Sequence, residues 1–494
     1  MTSDFRRPGG RRARLRNWSE IAIFSLAFAA QLASAEPRVF RAGAATSTIT
    51  PAFGVLLDGT ILQNGPAKHV HDELHARCFV LDDGTERIAI VVCDSTMIAG
   101  SVLDAAKEII RQRSGLNPDR VLISATHTHS TPRAIRISEK PADIAYLDFL
   151  ARRIADGVQR AINNLAPAKV GWGRGNKPEF VHNRRWFVEK SAQRPNPFGK
   201  EGEIVVMNPG RTGLVRPAGP VDPEVFILSL QHTDGRPLAL LANYGLHYIG
   251  GIPSGTISAD YFGAFSRKLE QALGPEKSDP PFVAAMANGT SGDVNGVDLK
   301  APVDRAAPYV RMNAVAQAVA DEALRIQRGI NHRADVSVAM KQVILQLRIR
   351  KPDAARLAWA KPLYASGQAK FAQGVPLTRP EVYAREAMHL QDYPDVAPVP
   401  VQAIRIGDLG VTAGPNEIFA ETGLAIKAQS PFKSTFTISL ANAYYGYLPT
   451  PQQHEWGGYE TWDARSSALE IEAEPKIRAA ALNLLRELDP KKQP

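Results

Sequence analysis

The chain is poor in cysteine, in long apolar runs and in clustered charge, and each shortage removes a class of protein. Cys78 and Cys93 are the only cysteines in 494 residues, too few for a disulfide framework and without metal-binding CxxC spacing. They lie in the apolar runs CFVL and IAIVVC around the turn signal Asp82-Asp83-Gly84, where a hairpin does not set them directly opposite. Two buried free thiols is the simpler reading, and a bridge stays open in an oxidising compartment. No segment approaches the ~20 uninterrupted apolar residues of a membrane-spanning helix. Of the formal charge of +9, +4 comes from the first 35 residues, where six Arg face only Asp4 and Glu20. No basic run follows, so the concentrated cationic surface that nucleic acid requires is missing. What remains is 44% apolar and 22% charged, an ordinary folded composition.

The N-terminus reads as an address. An Arg-rich stretch is followed by the short apolar run Ile21 to Ala30 and by Ala33-Ser34-Ala35, small residues where a signal peptidase cuts. Ten apolar residues at 1.5 Å each fall short of the ~30 Å hydrocarbon layer. The expectation is a signal peptide over residues 1–35 and an exported mature chain, 36–494, periplasmic or secreted.

From Ala76 onward, short β-rich runs alternate with amphipathic stretches: CFVL, IAIVV, a helix from Val102 to Arg113, then VLISAT from Val121. That succession predicts a βαβ unit. Further helices are expected over Asp143–Asn164, Tyr261–Leu273, Tyr309–Arg328 and Ala473–Leu488, with hairpins around His232–Gly235 and Gly407–Gly410 and another helix opening near Glu417. The fold class is α/β, a single large domain with a mixed central sheet covered by helices. Residues 351–400 differ in texture, with Pro, Gln, Arg and Tyr mixed into helix-like pieces; they read either as a lid over the site or as an ordinary surface insertion.

Residues able to carry chemistry fall at strand ends. Thr126-His127-Thr128-His129-Ser130 follows VLISA, where an open α/β sheet presents its ligand crevice. On an extended chain His127 and His129 point to opposite faces, so one is expected to bind a metal and the other to orient or shuttle protons. His247 ends LALLANYGLH before a Gly-rich turn and repeats the geometry. Asp260 has a plain reading as a helix N-cap. Asn288 to Gly296 is either a donor-rich loop around a reacting carbonyl or only a sharp turn. Glu417 has a plain reading as a first-turn acid and Tyr447 as aromatic packing. Two imidazoles, a carboxylate and a phenol nevertheless suit a borderline cation such as Zn²⁺.

In order along the chain stand Val70-His71-Asp72-Glu73-Leu74-His75-Ala76-Arg77 with Asp94, the double-His segment 126–130, Asn183-Arg184, His247 with Ile257 to Asp260, Gly292-Asp293-Val294, Gly414 to Glu417, Asn442 to Tyr447 and Tyr459-Glu460. This set resembles the neutral (non-lysosomal) ceramidase family, zinc-dependent amidases that cleave the N-acyl bond of ceramide, and it spans nearly all of the mature chain. The resemblance implies His127, His247, Glu417 and Tyr447 as zinc ligands, and His129, Arg184 and Tyr459 as residues that contact substrate or assist proton transfer. Two departures stand out. Asn295 and Gly296 occupy the Ser and Pro positions of the family's Gly-Asp-Val-Ser-Pro-Asn signature, which removes that serine as nucleophile and leaves Ser291 as a nearby hydroxyl in a loop with Asp293 and Asn295. The residues after Tyr459 are also too few for the C-terminal immunoglobulin-like domain that characterised ceramidases carry. The expected chemistry is metal-assisted hydrolysis of a small-molecule or lipid N-acyl substrate by water. An amidase, deacylase or esterase acting on a non-sphingolipid compound is the second reading, and a non-catalytic binding protein with the same fold the third.

Overall fold

The largest element is an eight-stranded mixed sheet built from β1 (Arg41–Thr48), β2 (His75–Asp82), β3 (Arg87–Cys93), β4 (Val121–Ala125), β5 (Ala166–Asn176), β6 (Glu224–His232), β7 (Pro237–Tyr244) and β8 (Val283–Asn288), in the order β8-β7-β6-β5-β1-β2-β3-β4. The computed structural model describes residues 39–59, 65–135, 141–199, 202–274, 278–373 and 375–492. The leader expected over residues 1–35 lies outside them. Val39–Pro494 gathers into one unit.

A second, four-stranded sheet holds β9 (Val338–Arg348), β10 (Val396–Ile406), β11 (Leu409–Ala413) and, beyond the two-residue strand β12 (Glu417–Ile418), β13 (Ser434–Ile438), in the order β9-β10-β11-β13. The two sheets bury a shared core: Phe79, Ile88, Ile90 and Val92 from the first meet Val338, Ile404, Val411 and Phe436 from the second. Helices cover the outer faces. α1 (Gly100–Ser114) and α2 (Pro141–Asn163) cover β1 to β4, α3 (Asp260–Leu273) and α4 (Val310–Gln327) cover β6 to β8, and α7 (Ala420–Gln429) and α9 (Ala473–Leu488) cover the second sheet. The central sheet is thus sandwiched between helices and a second sheet. That explains why β2, β3, β4, β7 and β8 read as continuous apolar runs, both of their faces being buried, whereas β5 keeps exposed residues. The helices carry one apolar stripe each. In α2, Tyr146, Leu150, Ile154 and Val158 recur every fourth residue and are all buried.

Three pairs of parallel strands, β3/β4, β7/β8 and β11/β13, are each joined by a connection carrying a helix, α1, α3 and α7 in turn. The main sheet curls so far that its two edges approach. Residues 439–442 bridge the gap: Ser439 N–H donates to Asn288 O on β8, while Ala125 N–H donates to Leu440 O and Asn442 N–H to Ile123 O on β4. Leu440 and Asn442 adopt left-handed backbone angles, φ 56° and 66°, a cost of order 1–2 kcal/mol for a leucine. The bridge brings the carboxyl ends of β4, β7, β8 and β11 to one place.

Residues 351–395 are an excursion between the antiparallel neighbours β9 and β10. It contains α5 (Ala354–Ala372) and α6 (Arg379–Gln391), packed as a helical hairpin. The last short helix, α8 (Pro451–Trp456), precedes the Tyr459 turn. Cys78 and Cys93 are free and buried, facing Val91 and Ala76 across neighbouring strands rather than each other.

Candidate metal centre

His127 follows β4 with φ 74°, a left-handed conformation that His tolerates better than most side chains. Its N–H donates to Ser95 O. This single backbone angle overturns the expectation that His127 and His129 diverge. The chain is not extended there, and the two Nε2 atoms lie 3.2 Å apart. His247, after β7, brings its Nε2 to 3.0 Å from that of His127. Glu417 Oε2 lies 3.1 Å from His127 Nε2 and 3.8 Å from His247 Nε2.

Tautomers are fixed from behind. His127 Nδ1 sits 2.7 Å from Thr96 O and His247 Nδ1 3.0 Å from Ser291 O. A carbonyl only accepts, so both Nδ1 atoms carry hydrogen and both Nε2 atoms present lone pairs. Glu417 Oε1 accepts from Tyr444 OH at 2.9 Å, leaving Oε2 buried with no hydrogen-bond donor. Among the described residues Arg184 Nη1, 3.3 Å from His247 Nε2, is a donor at this cluster; the lone pairs of His127 Nε2 and Glu417 Oε2 still face each other, and a cation at the centre removes that conflict. Ligands placed 2.0–2.1 Å from a tetrahedral Zn²⁺ stand roughly 3.3 Å apart, close to the separations found. His127, His129 and His247 together form a group able to hold a metal ion.

Electrostatics keep the donors in their ligating states. Burial, reinforced by the charge of Arg184, pushes His129 and His247 well below the ordinary histidine value. Burial alone would raise Glu417, but His127, Arg184 and the Tyr444 hydroxyl outweigh it and hold the carboxyl below its ordinary value. Neutral imidazoles beside a carboxylate are the state that metal binding requires.

Glu417 does not open a helix. Glu417–Ile418 is the strand β12, paired in parallel with β14 (Tyr447–Leu448) so that Glu417 and Tyr447 are direct partners. Pro415 disfavours helix at the residue before it. α7 begins only at Ala420, whose N–H donates to the Asp293 carboxylate at 2.9 Å. Asp260 is likewise no cap for its own helix: its carboxylate accepts from Ile249, Gly250 and Tyr261 N–H and ties down the loop after His247. Burial lifts its pKa to about 6.

The remaining sequence-derived residues fall into two groups. Arg184 and Tyr459 border the cluster. Arg184 Nη1 is 3.3 Å from His247 Nε2, its Nε donates to Glu460 at 2.8 Å, and its guanidinium stands over the Tyr447 ring. The Tyr459 ring meets that of Tyr447 edge-on, and burial raises its phenol pKa. The loop residues lie further back. Ser291 Oγ donates to Asn288, and it is the Ser291 carbonyl that orients His247. Asp293 is buried between Asn183 and the start of α7. Asn295 donates to Asn208 Oδ1 at 2.7 Å and caps Val297 N–H. A Cβ on Gly292 would collide with the Glu417 carbonyl, so only glycine lets this loop reach β12.

Residue-by-residue reading of the sequence missed three supports: Tyr444 behind Glu417, Tyr248 stacked on His129 with ring centroids 3.6 Å apart, and Glu460, which holds Arg184 and, at 2.6 Å, Arg185. The tyrosines adjoin motif residues, but nothing in a linear pattern separates them from packing aromatics.

A cavity of about 780 Å³ borders the cluster through His247, Tyr248 and Arg184, and two more open over His129 and Tyr447. One, of about 700 Å³, is lined by His127, His129, Glu417, Tyr447 and Tyr459 together with residues of α1, α6 and β9. The other, of about 500 Å³, shares His129, Tyr447 and Tyr459 and adds Arg184, Tyr383 and Trp462. The excursion carrying α5 and α6 therefore contributes walls to both.

Comparison with known proteins agrees on the family. Residues 40–303, just over half of the chain, match the model of the neutral/alkaline non-lysosomal ceramidase N-terminal region. Neutral ceramidase A of Dictyostelium discoideum is 27% identical over 46% of this chain and 31% of its own length, so the chain spans about a third of that relative. Neutral ceramidase of Mycobacterium tuberculosis is 24% identical over 79% of this chain and 68% of its own. The crystal structure of neutral ceramidase from Pseudomonas aeruginosa superposes with a TM-score of 0.66 at 19% identity, covering 91% of this chain and 74% of the other. A ceramidase complexed with C2 gives 0.65 at the same identity, covering 92% of this chain and 76% of the other.

Proposed function

The chain belongs to the neutral/alkaline non-lysosomal ceramidase family, and we propose that it is a metal-dependent hydrolase of an N-acyl amide bond, with Zn²⁺ as the metal and ceramide the first substrate to test. The observation that carries the proposal is the convergence of His127 Nε2, His247 Nε2 and Glu417 Oε2 within 3.0–3.8 Å of one another, with both histidine Nδ1 atoms committed to backbone carbonyls. Tyr447, the ladder partner of Glu417, completes a mixed nitrogen and oxygen set, and His129 stands within reach of the same centre. A divalent ion held there supplies Lewis-acid polarisation of an acyl carbonyl and acidifies water toward a pKa of about 7.

The chain's own residues account for the rest. His129, neutral and stacked on Tyr248, is placed to take a proton and return it to the departing amine. Tyr459, kept protonated by burial, is a hydrogen-bond donor toward charge developing on the carbonyl oxygen. Arg184 is held by Glu460 and positions the polar part of the substrate. Ser291 is not the nucleophile, because its hydroxyl is engaged with Asn288 and has no base beside it.

The charged wall of the 700 Å³ cavity, with Lys107, Arg133 and Arg385 in it, favours a second reading in which the substrate is a polar N-acyl compound rather than a long-chain lipid. Export through the N-terminal leader, to the periplasm or outside the cell, is also part of the proposal. Metal content and acyl release are the test. His127→Ala and Glu417→Gln are expected to lose both, whereas undiminished zinc and turnover in both variants sinks the assignment.

A further inference from the structure

The 700 Å³ cavity holds a cation that the hydrolytic machinery does not use. Lys107 lies on α1, is only 5% exposed and lines the same cavity as His127 and Glu417. Among the described residues its ammonium finds no hydrogen-bond or ion-pair partner. Arg385 and Arg465, in the wall of the same cavity, are matched by Glu386 at 3.2 and 2.7 Å. The acids that face Lys107 are Asp104, one turn earlier on α1, and Asp119 from the turn before β4; both act on it only through space. Burial lowers its pKa to about 8 against their opposing pull. The Lys107 stem is buried while its ammonium, bonded to no counter-ion, lines the cavity and is open to an anion that enters it.

A second feature points the same way. Ala99, Gly100 and Ser101, the amino end of α1, line this cavity too. Ala99 offers no capping side chain, and the first turn carries no acid. Ala99 N–H donates to Ala134 O, and Val102 and Leu103 N–H to Ala99 O, which leaves the N–H groups of Gly100 and Ser101 and the positive end of the helix dipole at the cavity. Gly100 abuts Ala443, so closely that a Cβ added to the glycine would stand 3.3 Å from that of Ala443, beside the Tyr444 that holds Glu417. Lys107 is seven residues further along the helix, roughly 10 Å at 1.5 Å per residue, and its side chain leans back toward the helix amino end.

Resting on the hydrolase reading above, we propose that Lys107 and the amino end of α1 form a carboxylate-binding subsite, so that the preferred substrate is an N-acyl compound carrying an acidic group separated from its amide by a short chain. Asp104, exposed one turn earlier on α1, opposes the anion and tunes the affinity.

Direct binding separates this subsite from catalysis. Zn²⁺-supplemented protein is titrated calorimetrically with matched linear hydroxamates, one series ending in a carboxylate and the other in a methyl group. The expected result is a preference of about tenfold or more for the carboxylate series, abolished in Lys107→Met and widened in Asp104→Asn. Equal affinity for the two series, or a preference that survives Lys107→Met, overturns the subsite while leaving the metal centre intact. Failure of both series to bind overturns the metal centre and the subsite with it.

Discussion

A single backbone angle decides the chemistry at the residue scale. The pattern Thr-His-Thr-His-Ser is visible in the sequence, and so is its position at a strand end. The sharing of one centre by both imidazoles is not, because alternation holds only while the chain stays extended, and His127 leaves that region with φ 74°. Supports behind the ligands are equally hidden. Tyr444 fixes Glu417 through a 2.9 Å hydrogen bond, and groups that hold a metal ligand in place from behind are worth about 10–100-fold in metal affinity. Tyr444→Phe is therefore expected to weaken zinc binding by that factor in a competitive chelator titration while the fold is kept; unchanged affinity would show the hydroxyl to be idle.

Asp293 gives a pH signature at the same scale. Burial raises its pKa from 3.8 to about 6, so the folded protein keeps a proton that the unfolded chain has already released. Stability contributed by this group is highest at and below pH 3.8 and is lost as pH rises through about 6. Asp260 behaves alike. Asp293→Asn removes one such contribution, so its denaturation midpoint should change less steeply with pH across that window than the wild type's. Superimposable slopes would contradict the raised value.

Among the elements, what can be read from sequence is what local periodicity encodes. α9 lies where the periodicity puts it, Ala473–Leu488, and the hairpins at 232–235 and 407–410 join β6 to β7 and β10 to β11. Glu417 shows the limit. A two-residue strand has no periodicity, and β12 exists because Tyr447, thirty residues away, supplies its partner. The 351–395 excursion, readable from sequence either as a lid or as a surface insertion, lines the 700 and 500 Å³ cavities through α6 and its flanks. It is anchored by Glu386, whose carboxylate takes two bonds of 2.7 Å from Arg465. Replacing Glu386 by Ala strands a largely buried guanidinium, at an expected cost of about 3 kcal/mol. Chemical denaturation checks this, and a loss under about 1 kcal/mol would mean that the excursion is held by packing alone.

For the whole molecule, the curl of the main sheet is the feature that no local pattern announces. His127 and His247 follow strands near opposite edges of that sheet, and they meet because residues 439–442 bridge the edges through Asn288, Ile123 and Ala125. The sequence resemblance groups His127, His247, Glu417 and Tyr447 without that knowledge, since a family motif encodes long-range contacts that composition and spacing do not. None of the described helices is long and apolar enough to cross a membrane.

The central claim is that one metal ion sits among His127, His247 and Glu417. Anomalous scattering recorded at the zinc edge from crystals grown with Zn²⁺ tests it directly. The account predicts one strong peak about 2.0–2.1 Å from both His127 Nε2 and His247 Nε2, absent in His127→Ala. A map without that peak, or with the ion held elsewhere, would contradict it.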